Sequence, residues 1–330
     1  MPSIDTILWD AVSYPARVFF DPESQTYWPT YLGALVFSVL FYAYRRRGKS
    51  LRLRAIIKYI WPSRIARHPS TVLDLKLFIV GLMFVGLQTA LLAAFSNSIN
   101  FGVAHLLDAI FGTRGPDFPV MGTAMKFFIP VGLFLIYELG YWLAHFLLHK
   151  VGWLWEFHKV HHSAEVMTPL AELRQHPLEL LLFPVTISLT LSFFYGLIYF
   201  VYGPEPTVFV YWNTSIFVVG FFMLIGHLRH SHVDFCATGI WAYLIQSPAH
   251  HHIHHSTDRQ HFDKNLGFCL SVWDYIFGTL FIPKPRQRIT FGITDKLTHS
   301  FSLTTHYIEP FRQAALVLRR KKKPFTPTPK

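Results

Sequence analysis

Charged residues are absent from long stretches of this chain. None occurs from Ser24 to Tyr44, a run of 21 residues, or from Leu77 to Leu107, a run of 31. Phe127 to His149 is broken only by Glu138, and Leu180 to Pro204 and Pro206 to Leu228 add runs of 25 and 23. About 20 apolar residues in a helix cross the hydrocarbon of a bilayer. Soluble proteins rarely repeat runs of this length, so large buried helices are the weaker reading. The pattern predicts an all-α fold, a polytopic membrane helical bundle with four to five spans.

The polar connectors then orient the bundle. Arg45 to Arg67 carries nine basic residues and no acid, whereas the segment before the first run carries Asp5, Asp10, Asp21 and Glu23 against Arg17 alone. Short cytoplasmic loops are enriched in Lys and Arg. That places the basic connector in the cytoplasm, the N-terminus outside, and the segments after His149 and Leu228 in the cytoplasm with the tail. No cleavable signal peptide is expected, because Met1 to Asp21 lacks a basic start followed by an apolar stretch.

Composition agrees. Of the 330 residues 52% are hydrophobic and only 15% charged, with 32 Phe, 15 Tyr and 9 Trp. The net charge of +11 comes largely from the cytoplasmic excess and favours anionic headgroups. Nucleic acid is not expected as a partner, since no reading fold or aromatic-basic interleaving accompanies the charge. Cys236 and Cys269 form no CxxC or zinc-knuckle spacing and read as inert thiols. No repeat or linker divides the chain into compact units. Three regions are expected: 1–123 with the N-terminal spans and basic connector, 124–285 with the chemistry, and 286–330 ending in a disordered basic tail.

The chemistry is signalled by 19 histidines. "HFLLH" sets His145 and His149 at i and i+4, and "HKVHH" sets His158, His161 and His162 at i, i+3 and i+4. "SPAHHHIHHSTD" repeats the second spacing in His251, His254 and His255, with His250 and His252 aimed elsewhere if the segment is helical. "HLRHSH" supplies His227, His230 and His232. Residues three and four apart share a helix face, and neutral imidazole is the commonest protein metal ligand. One such pair arises easily by chance; the recurrence of HxxHH with an HxxxH at a span end points to ligation. Eight or more nitrogens exceed what one tetrahedral zinc uses, so the count indicates two metals. His68, His105, His299 and His306 read as structural or surface residues, with His176 and His261 intermediate.

These boxes, in this order and placement, resemble the fatty acid hydroxylase and sterol desaturase superfamily of integral-membrane di-iron oxygenases. "LWEFHKVHHSAE", "RQHPLE", "LRHSH", "SPAHHHIHHS" and "DKNLGFCLSVWDYIFGTLF" all resemble its signatures, over about Phe127 to Pro283. The resemblance implies metal ligands His145, His149, His158, His161, His162, His230, His232, His251, His254 and His255, carried on a cytoplasmic helical cap. Two departures stand out: Glu138 where Asp is expected, and His227 where Asn is expected. Glu138, Glu165, Asp258 and Asp263 are candidates to orient imidazoles, with ordinary interfacial salt bridges as the alternative. Asn265 and Gly267 are expected to shape the turn after the last box. Trp273, Asp274, Phe277 and Gly278 resemble a closing motif that packs against the site.

The implied cofactor is a pair of iron ions, for which zinc can substitute on overexpression. The implied reaction is hydroxylation or desaturation of a lipid C–H bond with O2 and two electrons. No catalytic residue beyond the metal centre is assigned. The chain shows no GxGxxG, no CxxCH and no ferredoxin cysteine pattern, so a separate reductase, ferredoxin or cytochrome b5-like partner is expected. Two rivals stay open: a histidine-rich membrane metal transporter, whose ligands belong near the membrane midplane, and a membrane zinc hydrolase, whose HExxH is absent. Sterol, fatty acyl, sphingoid, ether-lipid and carotenoid substrates are all compatible.

Overall fold

A computed structural model describes residues 4–22, 24, 26–112, 118–119, 121–203, 207–294, 297 and 300–319. His299, Glu23, the tail from 320 onward and the contacts of Asp5 and Asp10 lie outside what is described. The described residues are helical, with no named strand and two isolated bridges. In chain order the helices are α1 (Ile4–Arg17), α2 (Trp28–Arg45), α3 (Leu53–Ile60), α4 (Ser63–Ala66), α5 (Pro69–Phe111), α6 (Thr123–Lys150) and α7 (Gly152–His162). There follow α8 (Pro177–Tyr202), α9 (Thr207–Leu224), α10 (Trp241–Leu244), α11 (Pro248–His254), α12 (Val272–Ile276) and α13 (Leu303–Arg319).

Each uncharged run becomes one helix: α2, α5, α6, α8 and α9. Among the described residues two are long and apolar enough to cross a membrane, α6 of 28 residues and α8 of 26. A third qualifies if Leu53–Ala66 and Pro69–Val85, bent by 85° at Arg67 and His68, count as one span. The bend has a local cause: Pro69 disfavours helix at the residue before it, and the His68 ring accepts from Ser70 N at 3.2 Å to start α5.

The helix of the first run, α2, is not among those long and apolar enough to cross a membrane. α2 packs against α9, where a Cβ on Gly33 would strike the Met223 carbonyl, and against the segment that follows it: Thr30 Oγ1 meets His227 Nε2 at 2.8 Å, Phe37 and Phe41 pack edge-on against Phe235, and Arg45 pairs with Asp234. Both ends of the helix are therefore tied to residues flanking the central histidines. Its Tyr, Thr and Ser content supplies the polar contacts this position needs.

The histidine-bearing segments are held by buried polar pairs. Arg174, fully buried, donates to Asp74 Oδ1 (2.5 Å), Ser163 Oγ (2.9 Å) and Ser70 O (2.8 Å), joining α5 to the chain after α7. Buried charges persist only when paired in this way. His176 caps α8, its Nδ1 accepting from Leu178 N (3.2 Å) while Nε2–H donates to Tyr307 O (3.2 Å), which ties α8 to α13. His306, from α13, meets Ser163 Oγ at 3.3 Å. All three intermediate or structural assignments for His68, His176 and His306 thus correspond to capping or bridging roles.

Candidate metal centre

The end of α6, α7, the turn after α9 and α11 bring nine imidazoles together in two groups. His145, His149, His158, His162 and His254 form one; His161, His230, His251 and His255 form the other, with the offered atoms of each group all within 4.8 Å of one another. The partition follows helix geometry. Residues at i and i+4 stay in one group: His145 with His149, His158 with His162, His251 with His255. The i+3 member of each HxxHH crosses over, His161 to the second group and His254 to the first. A step of one residue turns a helix by about 100°, which sends adjacent imidazoles to different centres.

Hydrogen bonds outside the ring fix which nitrogen faces inward. The Nδ1–H of His158 donates to Glu179 Oε1 (2.9 Å), that of His145 to Leu266 O (2.7 Å), and that of His254 to Lys264 O (3.0 Å); His149 Nδ1 lies 3.3 Å from Asp263 Oδ1. Metal-bound histidines characteristically hold a carboxylate or carbonyl this way. With both Nδ1 atoms donating outward, the Nε2 atoms of His145 and His158 are both lone-pair acceptors, yet they face each other at 3.1 Å. No proton is available between them. Two acceptors held so close repel unless a cation lies within reach of both.

The second group repeats the argument. The Nε2 atoms of His230, His251 and His255 form a triangle with edges of 2.9, 3.0 and 3.2 Å. Each Nε2 has one in-plane lone pair or one N–H, so three mutual contacts cannot all be hydrogen bonds. Nitrogens about 2.1 Å from a shared ion lie ~3.0 Å apart at right angles and ~3.4 Å apart at tetrahedral angles. The observed edges are those of nitrogens close enough to share one ion. The donor set suits a pair of transition-metal ions.

Burial favours the ligating form. His158, His162, His230, His251, His254 and His255 are driven well below the usual imidazole pKa, first by desolvation and then by neighbouring imidazoles, and His161 falls to about 3 through burial. Neutral rings are the state that binds metal.

One expected ligand does not converge. His232 stands outside both groups: the chain turns at Ser231, whose hydroxyl accepts from Val233 N (3.0 Å), and the His232 ring meets Tyr59 edge-on at 5.2 Å. His227 also stays outside, set between Thr30 and Glu172 and stacked on Tyr31 at 3.8 Å. His250 and His252 point away as anticipated, to Ser247 Oγ (2.8 Å) and Phe291. His261 bonds Ser256 Oγ at 2.8 Å.

Of the four carboxylates singled out in the sequence, Asp263 alone reaches a clustered imidazole. It also pairs with Lys150 (2.5 Å), and its contacts with His149 and then with that ammonium hold its pKa down to about 2. Glu165 lies 3.9 Å from His68, and Asp258 caps a turn by accepting from Gln260 N at 3.1 Å. Glu138 instead accepts from the backbone N–H groups of Cys269 (3.0 Å) and Leu270 (2.8 Å), bracing the chain after the last box. Sequence reasoning gave no role to Glu179, Glu172 or Arg229. Glu179 was findable: "RQHPLE" places an acid in the first turn after a helix-starting His-Pro. Glu172 accepts from buried Arg229 at 3.0 Å, and although burial would raise its pKa, His227 and Arg229 bring it below the usual range.

The turn after α11 is shaped as expected by Asn265 and Gly267. Asn265 adopts φ of +56° and its side chain bonds His250 O, Phe281 O and Phe281 N at 2.8–3.0 Å. A Cβ at Gly267 would collide with the Leu270 carbonyl.

Two cavities reach the imidazoles. One of about 370 Å³ touches His145, His158, His161 and His230, and is lined as well by Tyr137, Tyr141, Phe183 and Phe268, by Tyr14 and Val18, and by Phe78, Leu82 and Val85 of α5 and Ile187 of α8. The other, about 450 Å³, touches His149, His162 and His254 and is bordered by Lys159, Asp263 and Thr257.

Comparison with known proteins covers the same region. Residues 130–279 match the fatty acid hydroxylase family. Human alkylglycerol monooxygenase is 26% identical over 185 residues, 53% of this chain and 37% of that protein. Ornithine lipid hydroxylase OlsE of Rhizobium tropici is 32% identical over 177 residues, 54% of this chain and 49% of that protein. The Danio rerio alkylglycerol monooxygenase is 28% identical over 162 residues, 49% of this chain and 32% of its own length. The chain thus matches a third to a half of the length of these relatives. No solved structure matches it.

Proposed function

Because residues 130–279 make this chain a member of the fatty acid hydroxylase and sterol desaturase superfamily, we propose that it is a membrane-bound di-iron oxygenase that hydroxylates or desaturates a lipid C–H bond. The observation that carries the reading is the pair of acceptor nitrogens of His145 and His158 facing each other at 3.1 Å, repeated in the His230 triangle. The named activities of the relatives, hydroxylation of an ornithine lipid and oxygenation of an alkylglycerol, support a lipid as substrate.

The five-histidine and four-histidine groups would each hold one iron. Bound there, the irons supply the chemistry that turns dioxygen and two electrons from a separate donor protein into attack on an unactivated C–H bond. The chain's own residues do the rest. Glu179, Leu266 O and Lys264 O keep Nε2 of three rings deprotonated and directed inward. Tyr141 and Phe183 stand 5.7 Å from the His145 ring, lining the first cavity with aromatic carbon that excludes water from the reacting carbon. The outer walls on α5 and α8 suit an acyl or alkyl chain entering sideways from the bilayer. The second cavity, bordered by Lys159 and Asp263, offers a separate aqueous approach.

For topology, α5, α6, α8 and α9 are the proposed spans, the lower end of the expected four to five, with α2 lying along the cap. Both ends of α2 then fall on the histidine side, and the basic connector beside it supports a cytoplasmic position for that side. A transporter would require ligands at membrane depth, whereas these gather at one end of α6 and α8. The test is lipid analysis of cells carrying the chain or its His161→Ala variant: a lipid that gains oxygen or a double bond only with the parent chain supports the reading. Unchanged lipids alongside a fully metallated parent protein and an active donor would refute it.

A further inference from the structure

Two short helices after the last span have an outer face that neither the metal centre nor the fold uses. α10 and α12 are joined by Ser271 N to Leu244 O (3.0 Å), an Ile245–Leu270 bridge and an edge-on Tyr243–Tyr275 contact at 5.7 Å. Their outward residues are Ile240, Trp241 (59% exposed), Tyr243, Tyr275 (64%), Ile276 (57%) and Phe277. A contiguous apolar patch of this kind marks an interaction surface.

Its position identifies the partner. The loop carrying α12 lies along α6 from Leu135 to Trp142: Trp273 Nε1–H donates to Leu135 O (3.2 Å), Trp142 Nε1–H to Asp274 Oδ1 (3.1 Å), and Trp142 stacks on Phe277 at 4.3 Å. α6 has 28 residues, and about 20 fill the hydrocarbon. Counted from either end of the helix, that window contains Leu135. The patch therefore sits at the depth of bilayer carbon.

The interior of the loop meets the demand of that depth. Irregular backbone inside a membrane is tolerated only where its polar groups are satisfied by protein. Glu138 takes the N–H groups of Cys269 and Leu270, and Asp274 takes Leu266 N (2.8 Å), Gly267 N (2.8 Å), Gln246 Nε2 (2.5 Å) and Thr279 Oγ1 (2.6 Å). Asp274, fully buried, is the only charged residue in 239–249 and 265–283. At the edge, Lys264 reaches Gly278 O at 3.2 Å, where a lysine can extend to headgroups.

We propose that the α10–α12 pair is a re-entrant wedge set into the leaflet nearest the histidines, with Trp241, Tyr275, Ile276 and Phe277 in contact with acyl chains. The proposal rests on the reading of α6 as a span. The wedge fastens the last histidine box to the membrane through the same loop that orients His145 and His254.

The test uses the full chain with Cys236→Ser, spin-labelled at Ile276→Cys, in phosphatidylcholine vesicles. Accessibility to oxygen against a water-soluble nickel chelate is compared with labels at Leu189→Cys, outward on α8, and Arg288→Cys, in an exposed loop. The expected oxygen-to-nickel ratio at Ile276 lies within about twofold of Leu189. A ratio matching Arg288, or shielding from both reagents by a protein partner, overturns the wedge while leaving the spans intact. A nickel-accessible Leu189 removes the span reading and the wedge together. A second measurement needs no cysteine: the fluorescence lost on Trp241→Phe should be the fraction quenched by brominated acyl chains, and quenching of that fraction by acrylamide alone would contradict the proposal.

Discussion

At the scale of single residues, the account turns on which ring nitrogen faces the metals. Glu179 fixes His158 by accepting from its Nδ1–H at 2.9 Å in a buried setting. Glu179→Gln keeps the shape but weakens the acceptor and should lower metal affinity by ~10- to 100-fold, read as metal retained after dialysis against a chelator. Retention equal to the parent would show that the carboxylate has no part in orienting the ring. Gly267→Ala tests the turn behind the last box. Its Cβ would meet the Leu270 carbonyl, so the variant should lose about 2–3 kcal/mol of stability, seen as a lower melting temperature in detergent. The ligand spacings were legible in the sequence because i, i+3 and i+4 fix a helix face. The fate of His232 was not, since two residues beyond His230 in a non-helical turn carry no periodic constraint. Glu172, Arg229 and the carbonyls of Lys264 and Leu266 were equally hidden, because their partners lie 121 residues away in the case of His145 and Leu266.

At the scale of elements, α7 and α11 each lend a histidine pair to one group and a single histidine to the other, so neither group forms without both. This explains why both HxxHH segments are buried despite their polarity. Such burial makes the empty protein sensitive to acid. His250 and His252, beside the ligands on α11, are lowered to about 4, chiefly by desolvation, against ~6.5 in an unfolded chain. Below pH ~6.5 the unfolded state takes protons that the folded state refuses, so stability is full above that pH and declines towards pH 4. Each such histidine contributes roughly 1 kcal/mol per pH unit across the window. The metal-free protein should therefore melt progressively lower from pH 7 to pH 5; a flat profile would mean these rings are hydrated.

At the scale of the whole molecule, the uncharged runs mark where the long helices lie, and the histidine clusters mark the residues that the fold brings together. What the runs could not reveal is that α2 packs against the segment after α9 with both of its ends, since a tyrosine-rich helix of 18 residues satisfies length without declaring direction. Contacts such as Thr30 with His227 span 197 residues and have no local signature. The architecture that results sets a cradle of nine imidazoles near the end of α6 and the start of α8, with one cavity walled by aromatic residues and a second bordered by Lys159 and Asp263.

Iron counted per chain is the most direct measure of that cradle. Full-length protein loaded anaerobically with ferrous iron and freed of excess should hold about two ions, His158→Ala and His251→Ala each close to one. A parent chain that retains no iron, while its melting behaviour shows it folded, would contradict the binuclear centre and everything inferred from it.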